Sequence, residues 1–418
     1  MGSVRFTSVV TKGGLVFGVV ALLSLSACND LGEDATTYSV PGDGIFGGDI
    51  DGDGDVDLMT GGGDVSTVLT NDGTGRFSPT IVDGHVDFSH MMLVDVNGDN
   101  RQDMVRFDGD LDATGPAEWH LETSLSNGDG TFEDATVVGA TSLAAVGDHA
   151  AVAVISADMN ADAHADVVAY QSSEGHPGAA VVFPWTGANT FGPAVVSPSS
   201  SAVLTEGHLN HASSAAADIT GDGKRDLVVA GWGVWPGDPF SRGQIAVMAG
   251  NGAGGFTATT SYPTIEGDSS RAVGPGIGDF NEDGRLDVVT ADTRFVAGPE
   301  TLTFWFGKAG GGLNGAVSRD GRGEQDTDLV VVDLDQDANL DIVTIARLHS
   351  EETQGSGWWM KGNGTGQIAS TSQLGAAAPH DFQHGGIIVR DFDGDGRPDL
   401  AFGDGAGTVT VYRNRLGT

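Results

Sequence analysis

One cysteine, Cys28, stands among 418 residues, so no disulfide can form within the chain. Basic residues are scarce: 20 Lys and Arg face 58 Asp and Glu, and the lysines are Lys12, Lys224, Lys308 and Lys361. The resulting net charge of −38 excludes a nucleic-acid binder, which needs a basic footprint for the phosphate backbone. It equally excludes adhesion to anionic lipid by charge. Past residue 28 no apolar stretch approaches the ~20 residues of a membrane-spanning helix. No sustained 3.6-residue apolar period appears, and neither do HExxH, a P-loop, a dinucleotide fingerprint or a Ser/His/Asp signature. What is plentiful is glycine, at 66 residues, and aspartate in regular clusters.

The first residues form a separate device. Arg5 and Lys12 precede the apolar run GLVFGVVALLSL, too short to span a bilayer comfortably, and LSAC (Leu25 to Cys28) follows. Small residues before a lone Cys, directly after an apolar core, resemble the bacterial lipobox. The resemblance implies cleavage before Cys28 and a lipid on its thiol. Residues 1–27 are then a lipoprotein signal peptide and residues 28–33 the lipidated cysteine with a short tether. The chain would be exported and held at a bacterial membrane, on the periplasmic or the cell-surface side. An ordinary secretory signal or a membrane anchor are the other readings of these residues.

One short pattern recurs seven times. It reads DIDGDGDVDL from Asp49, DVNGDNRQDM from Asp95, DMNADAHADV from Asp158, DITGDGKRDL from Asp218, DFNEDGRLDV from Asp279, DLDQDANLDI from Asp333 and DFDGDGRPDL from Asp391. Successive copies start 46 to 63 residues apart, the spacing of a repeat architecture. A short β-branched run precedes each copy (HMMLVDV, AVAVISAD, GIIVRDF) and another follows it (DLVVAG, DVVTAD, DLAFGD). A third run (GQIAVMAG, TLTFWFG, GTVTVYR), a Gly-rich turn and a fourth extended run complete the unit. Runs of this kind, bounded by Gly, Asn and Asp, read as strands. Four antiparallel strands per copy predict the blades of an all-β, seven-bladed β-propeller.

With these motifs the chain resembles the FG-GAP/VCBS repeat family, the calcium-binding propeller type found in integrin α subunits, over residues 34–418. The last copy stops after its third strand. The segment 34–40, DATTYSV, is therefore expected to supply the fourth strand of blade 7, closing the ring and removing an open edge; a disordered tether is the alternative.

The loop chemistry follows from hard-cation rules. Calcium takes about 6–8 oxygen ligands. Position 1 offers Asp49, Asp95, Asp158, Asp218, Asp279, Asp333 and Asp391; position 3 offers Asp51, Asn97, Asn160, Thr220, Asn281, Asp335 and Asp393. Position 5 offers Asp53, Asp99, Asp162, Asp222, Asp283, Asp337 and Asp395; position 9 offers Asp57, Asp103, Asp166, Asp226, Asp287, Asp341 and Asp399. Position 7 varies (Asp55, Arg101, His164, Lys224, Arg285, Asn339, Arg397), which fits a backbone carbonyl ligand and makes the His164 ring a bystander. An EF-hand would need an acid at position 12 between two helices. That position holds Thr60, Arg106, Ala169, Val229, Thr290, Thr344 and Phe402. Each loop is therefore expected to be a calcium-filled hairpin between a blade's first and second strands, giving up to seven structural ions. Position 6 is expected to need positive φ, which Ala163 and Ala338 meet poorly, and Thr220 is a weaker neutral ligand. The first, fifth and seventh loops read as the strongest.

Antiparallel geometry puts the calcium loops and the 3-to-4 turns on one face and the more variable 2-to-3 and 4-to-1 connections on the other. Function tends to sit on variable loops over a rigid scaffold. Trp119, Trp232, Trp235 and Trp358, with His149, His208, His211, His380 and His384, are assigned to that second face as ligand candidates. The expected function is a binding or adhesion module, a monomeric propeller that recognises a glycan or a protein. No copy is marked as an open catalytic position, so an enzyme is the less favoured reading. A polysaccharide-lyase-type enzyme on the same propeller and a scaffold subunit of a surface complex are the alternatives.

Overall fold

The runs flanking each acidic loop are apolar at consecutive positions rather than at alternate ones, as expected for strands covered on both faces. The computed structural model describes residues 35–40, 44–62, 65–83, 90–109, 117–143, 151–173, 176–200, 214–234, 241–264, 270–294, 301–320, 325–347, 356–374, 386–403 and 407–416. Every regular element among them is a strand.

Twenty-eight of the strands form seven four-stranded antiparallel sheets. Blade 1 runs Gly44–Gly48, Asp57–Gly62, Val65–Asn71, Phe77–Asp83, and blade 2 runs Met91–Val94, Asp103–Gly109, Ala117–Ser124, Thr136–Leu143. Blade 3 comprises Ala151–Ala157, Asp166–Ser173, His176–Phe183 and Val195–Pro198; a small extra hairpin, Trp185–Gly187 with Thr190–Phe191, replaces its Gly-rich turn. Blade 4 is Ser214–Ala217, Asp226–Val234, Ser241–Gly250, Phe256–Pro263; blade 5 is Ser270–Gly278, Asp287–Arg294, Thr301–Trp305, Val317–Asp320. Blade 6 is Gln325–Val332, Asp341–Arg347, Ser356–Gly362, Ile368–Leu374. Blade 7 takes Gly386–Arg390, Asp399–Gly403 and Thr408–Tyr412 from the end of the chain, and its fourth strand is Ala35–Ser39. That strand pairs antiparallel with Thr408–Tyr412, from Ala35 opposite Tyr412 to Ser39 opposite Thr408. First strands of successive blades are neighbours all the way round, and Gly44–Gly48 meets Gly386–Arg390 to complete the circle.

The core is divided among the seams. Seven apolar clusters lie between neighbouring blades. In each second strand the two residues after the opening aspartate face opposite seams. Leu58 packs toward blade 7 and Met59 toward blade 2; Val167 packs toward blade 2 and Val168 toward blade 4. Period-2 geometry sends successive side chains to opposite faces, and here both faces are core.

Three aromatic assignments change. Trp119 lies within the third strand of blade 2, not in a connection, and is fully buried. Its indole stacks on Phe107 at 5.0 Å and lies over Gly109, where any Cβ would collide with the ring. It belongs to the seam between blades 2 and 3, so it is removed from the ligand candidates. Glu118 and His120 share that strand. Trp232 and Trp358 also lie in strands, near the ends that adjoin the 2-to-3 connections, and both are half-buried. Cys28, His149, His208, His211, Trp235, His380 and His384 lie outside the described residues.

Candidate metal centres

The seven acidic loops share one backbone. The position 1 carboxylate accepts the position 6 N–H in every loop, at 2.7–3.1 Å. The position 5 carboxylate accepts the position 7 N–H at 2.9–3.1 Å. Two residues per loop are left-handed: position 4, with φ of 55–83°, and position 6, with φ of 67–96°. Position 6 was expected to be so; the demand at position 4 was not read from the sequence, although Gly52, Gly98, Gly221 and Gly394 signal it. Ala163 and Ala338 adopt the same turn as the glycines, at the strain that a Cβ brings to this region.

Position 9 acts as the anchor. All seven of these aspartates are fully buried. One oxygen of each accepts the position 2 N–H at 2.8–3.1 Å. The other accepts the N–H of the residue that ends the third strand or lies two beyond it, at 2.7–2.9 Å. The carboxylate thereby ties loop, second strand and third strand together. Burial raises the Asp57 and Asp399 carboxyls to about 6 against those hydrogen bonds, and it raises Asp103, Asp166, Asp226, Asp287 and Asp341 as well.

Position 2 is the feature that sequence reading passed over. Ile50, Val96, Met159, Ile219, Phe280, Leu334 and Phe392 are all apolar and buried. Their invariable apolarity, inside otherwise polar loops, is the signal that could have revealed them. Each carbonyl accepts a hydrogen bond from the following blade. The donors are Ser126 Oγ to Ile50, Trp185 Nε1 to Val96, and the Gly254, Gly312 and Gly366 N–H groups to Met159, Ile219 and Phe280. The side-chain amides of Asn414 and Asn71 serve Leu334 and Phe392. Seven hydrogen bonds thus lace the loops into a closed ring.

Three loops bring three carboxylates into one small space: Asp49, Asp51 and Asp53; Asp333, Asp335 and Asp341; Asp391, Asp393 and Asp399. In each set one oxygen per residue lies within 4.8 Å of the others. These acidic clusters could hold a metal ion, and an all-oxygen donor set suits a hard cation such as calcium. Asp393 adds a direct sign of fit: its side chain is 8% exposed, and Oδ1 is buried without a hydrogen-bond partner. The fifth loop, expected among the strongest, is not in this group. Its Asp283 is paired with Arg285 of the same loop.

That pairing recurs in three other loops. The position 7 bases Arg101, Lys224 and Arg397 also reach back to the position 5 carboxylates Asp99, Asp222 and Asp395. Arg415 bridges Asp393 and Asp395 at 2.8 and 2.9 Å. Lys361 contacts Asp335 and Asp337, and these hydrogen bonds hold its ammonium above the usual lysine value. Loop 1, with Asp55 at position 7, has no ion-paired base among the described residues. Burial and neighbouring carboxylates raise Asp51 and Asp55. The His164 ring packs on Trp185 with centroids 4.4 Å apart.

Residues 218–290, which carry the fourth and fifth loops, match the family described as FG-GAP-like repeat. No curated protein matches the chain.

Proposed function

We propose that this seven-bladed propeller of FG-GAP-like repeats is an exported, lipid-anchored binding module whose acidic loops take structural calcium and whose opposite face recognises a glycan or protein ligand. The observation that carries the reading is the sevenfold repetition of one loop. The same hydrogen bonds recur in every copy, and in three copies the carboxylates converge. A metal held in such a hairpin rigidifies one face. Metal-assisted catalysis would need an open coordination position at a single copy, and the hydrogen bonds common to all seven loops mark no one copy for it. The rigid scaffold then presents the 2-to-3 and 4-to-1 connections, where binding residues usually reside. Trp232 and Trp358, half-buried near the strand ends adjoining that face, are the described candidates to stack on a sugar ring or a partner side chain.

The test is a screen of the mature chain against glycans and polysaccharides, with and without calcium. Retention of a ligand with no product released supports the binding module. Release of unsaturated products absorbing in the near ultraviolet would identify a lyase instead.

A further inference from the structure

Loop 6, Asp333–Asp341, draws its positive charge from outside the loop. In loops 2, 4 and 5 the base belongs to the loop itself and takes the position 5 carboxylate. In loop 6 position 7 is Asn339, and the cation comes from outside. Lys361 projects from the third strand of blade 6, one residue before Gly362, whose N–H is bonded to Asp341. Its ammonium contacts Asp335 at position 3 and lies 2.9 Å from Asp337 at position 5. The ammonium thus takes one carboxylate, Asp335, of the three that converge in this loop, together with Asp337 beside it. Lys361 is bonded to Asp335 Oδ2, while Asp335 Oδ1 is buried without a hydrogen-bond partner, as Asp393 Oδ1 is in loop 7.

The third strand reaches the loop at a second point. Asp341 Oδ2 accepts both the Leu334 N–H at 3.1 Å and the Trp359 indole N–H at 3.0 Å. Asp57 Oδ2 of loop 1 also takes two donors, the Ile50 and Asp51 N–H groups, so what is particular to loop 6 is that its second donor is an indole from the third strand. In loop 7 only the Phe392 N–H is bonded to the corresponding Asp399 oxygen. Arg415 there reaches its two aspartates from the coil after the last strand, as a planar guanidinium rather than a point charge.

We propose that Lys361 stands in for the metal of loop 6, so that this loop keeps its fold without calcium while loop 1, which lacks a paired base, does not. The proposal rests on the calcium reading for its contrast with loop 1, but not for the role of Lys361 itself.

Amide hydrogen exchange of the full chain, in calcium and in chelator, tests it. In the wild type, protection across 333–341 is expected to be the same in both conditions, while protection across 49–57 falls in chelator. In Lys361→Met, protection of 333–341 should fall about tenfold or more in chelator, the scale of losing one partner of a half-buried ion pair, and return with calcium. Lys361→Arg, which keeps the charge, should stay closer to wild type. Loop 6 following calcium in the wild type, or keeping its protection in chelator in Lys361→Met, would overturn the proposal. If loops 1 and 7 ignore chelator, the calcium reading fails, and the Lys361 variants in chelator still decide the role of the lysine.

Discussion

Asn71, at the end of the third strand of blade 1, donates its side-chain amide to the Phe392 carbonyl of blade 7 at 2.9 Å across 321 residues of chain. The same amide donates to Val56 O, and the Asn71 N–H holds Asp57. One residue therefore joins the loop of its own blade to the loop across the seam where the two ends of the chain meet. Asn71→Ala should cost about 1–3 kcal/mol, because it leaves a buried carbonyl unpaired. A lower urea midpoint with unchanged slope is the expected result.

The left-handed turns give a cleaner backbone test. Ala163→Gly and Ala338→Gly should raise the melting temperature. Relief of left-handed strain, about 1–2 kcal/mol, exceeds the extra unfolded-state entropy of glycine, about 0.5–1 kcal/mol. Gly223→Ala should lower it by a similar amount. Nothing lies within 4 Å of the added Cβ at Gly223, so the effect there is conformational alone.

Acidity should act in an unusual direction in the metal-free protein. The folded-state carboxyls of Asp57 and Asp399 are raised to about 6 from 3.8, so the folded state binds their protons more tightly than the unfolded state. Their contribution is fully stabilising below the unfolded value and is lost as pH rises through about 6. In chelator, the melting temperature should therefore rise as pH is lowered from 7.5 to 5.5. Carboxyls held low, such as Asp222 and Asp395, do not titrate in that window. In calcium the slope should reverse, since protons and metal compete for the same oxygens.

Tryptophans separate core from surface. Trp119→Ala should destabilise by about 3–5 kcal/mol through loss of a fully buried ring. Trp232→Ala and Trp358→Ala should instead weaken ligand retention in the glycan screen with a smaller change in stability.

The repeat made the fold legible. Seven Asp-rich loops fixed the blade count, and DATTYSV marked a strand that the last blade lacked. What escaped depended on contacts between blades. Trp119 looked like a surface aromatic because its polar neighbours Glu118 and His120 alternate with it on a strand, and only the facing seam shows which side is core. The apolar position 2 residues passed unnoticed because their role is to meet the next blade, a relation between copies rather than within one. The basic residues at and near the loops read as indifferent side chains, since a backbone ligand at position 7 does not depend on what that side chain reaches.

The central claim, that calcium holds these loops, is tested most directly by melting the mature chain in millimolar calcium and again in excess chelator at pH 7.5. The expected result is a melting temperature lower by at least several degrees in chelator and restored by added calcium. An unchanged melting temperature would contradict it.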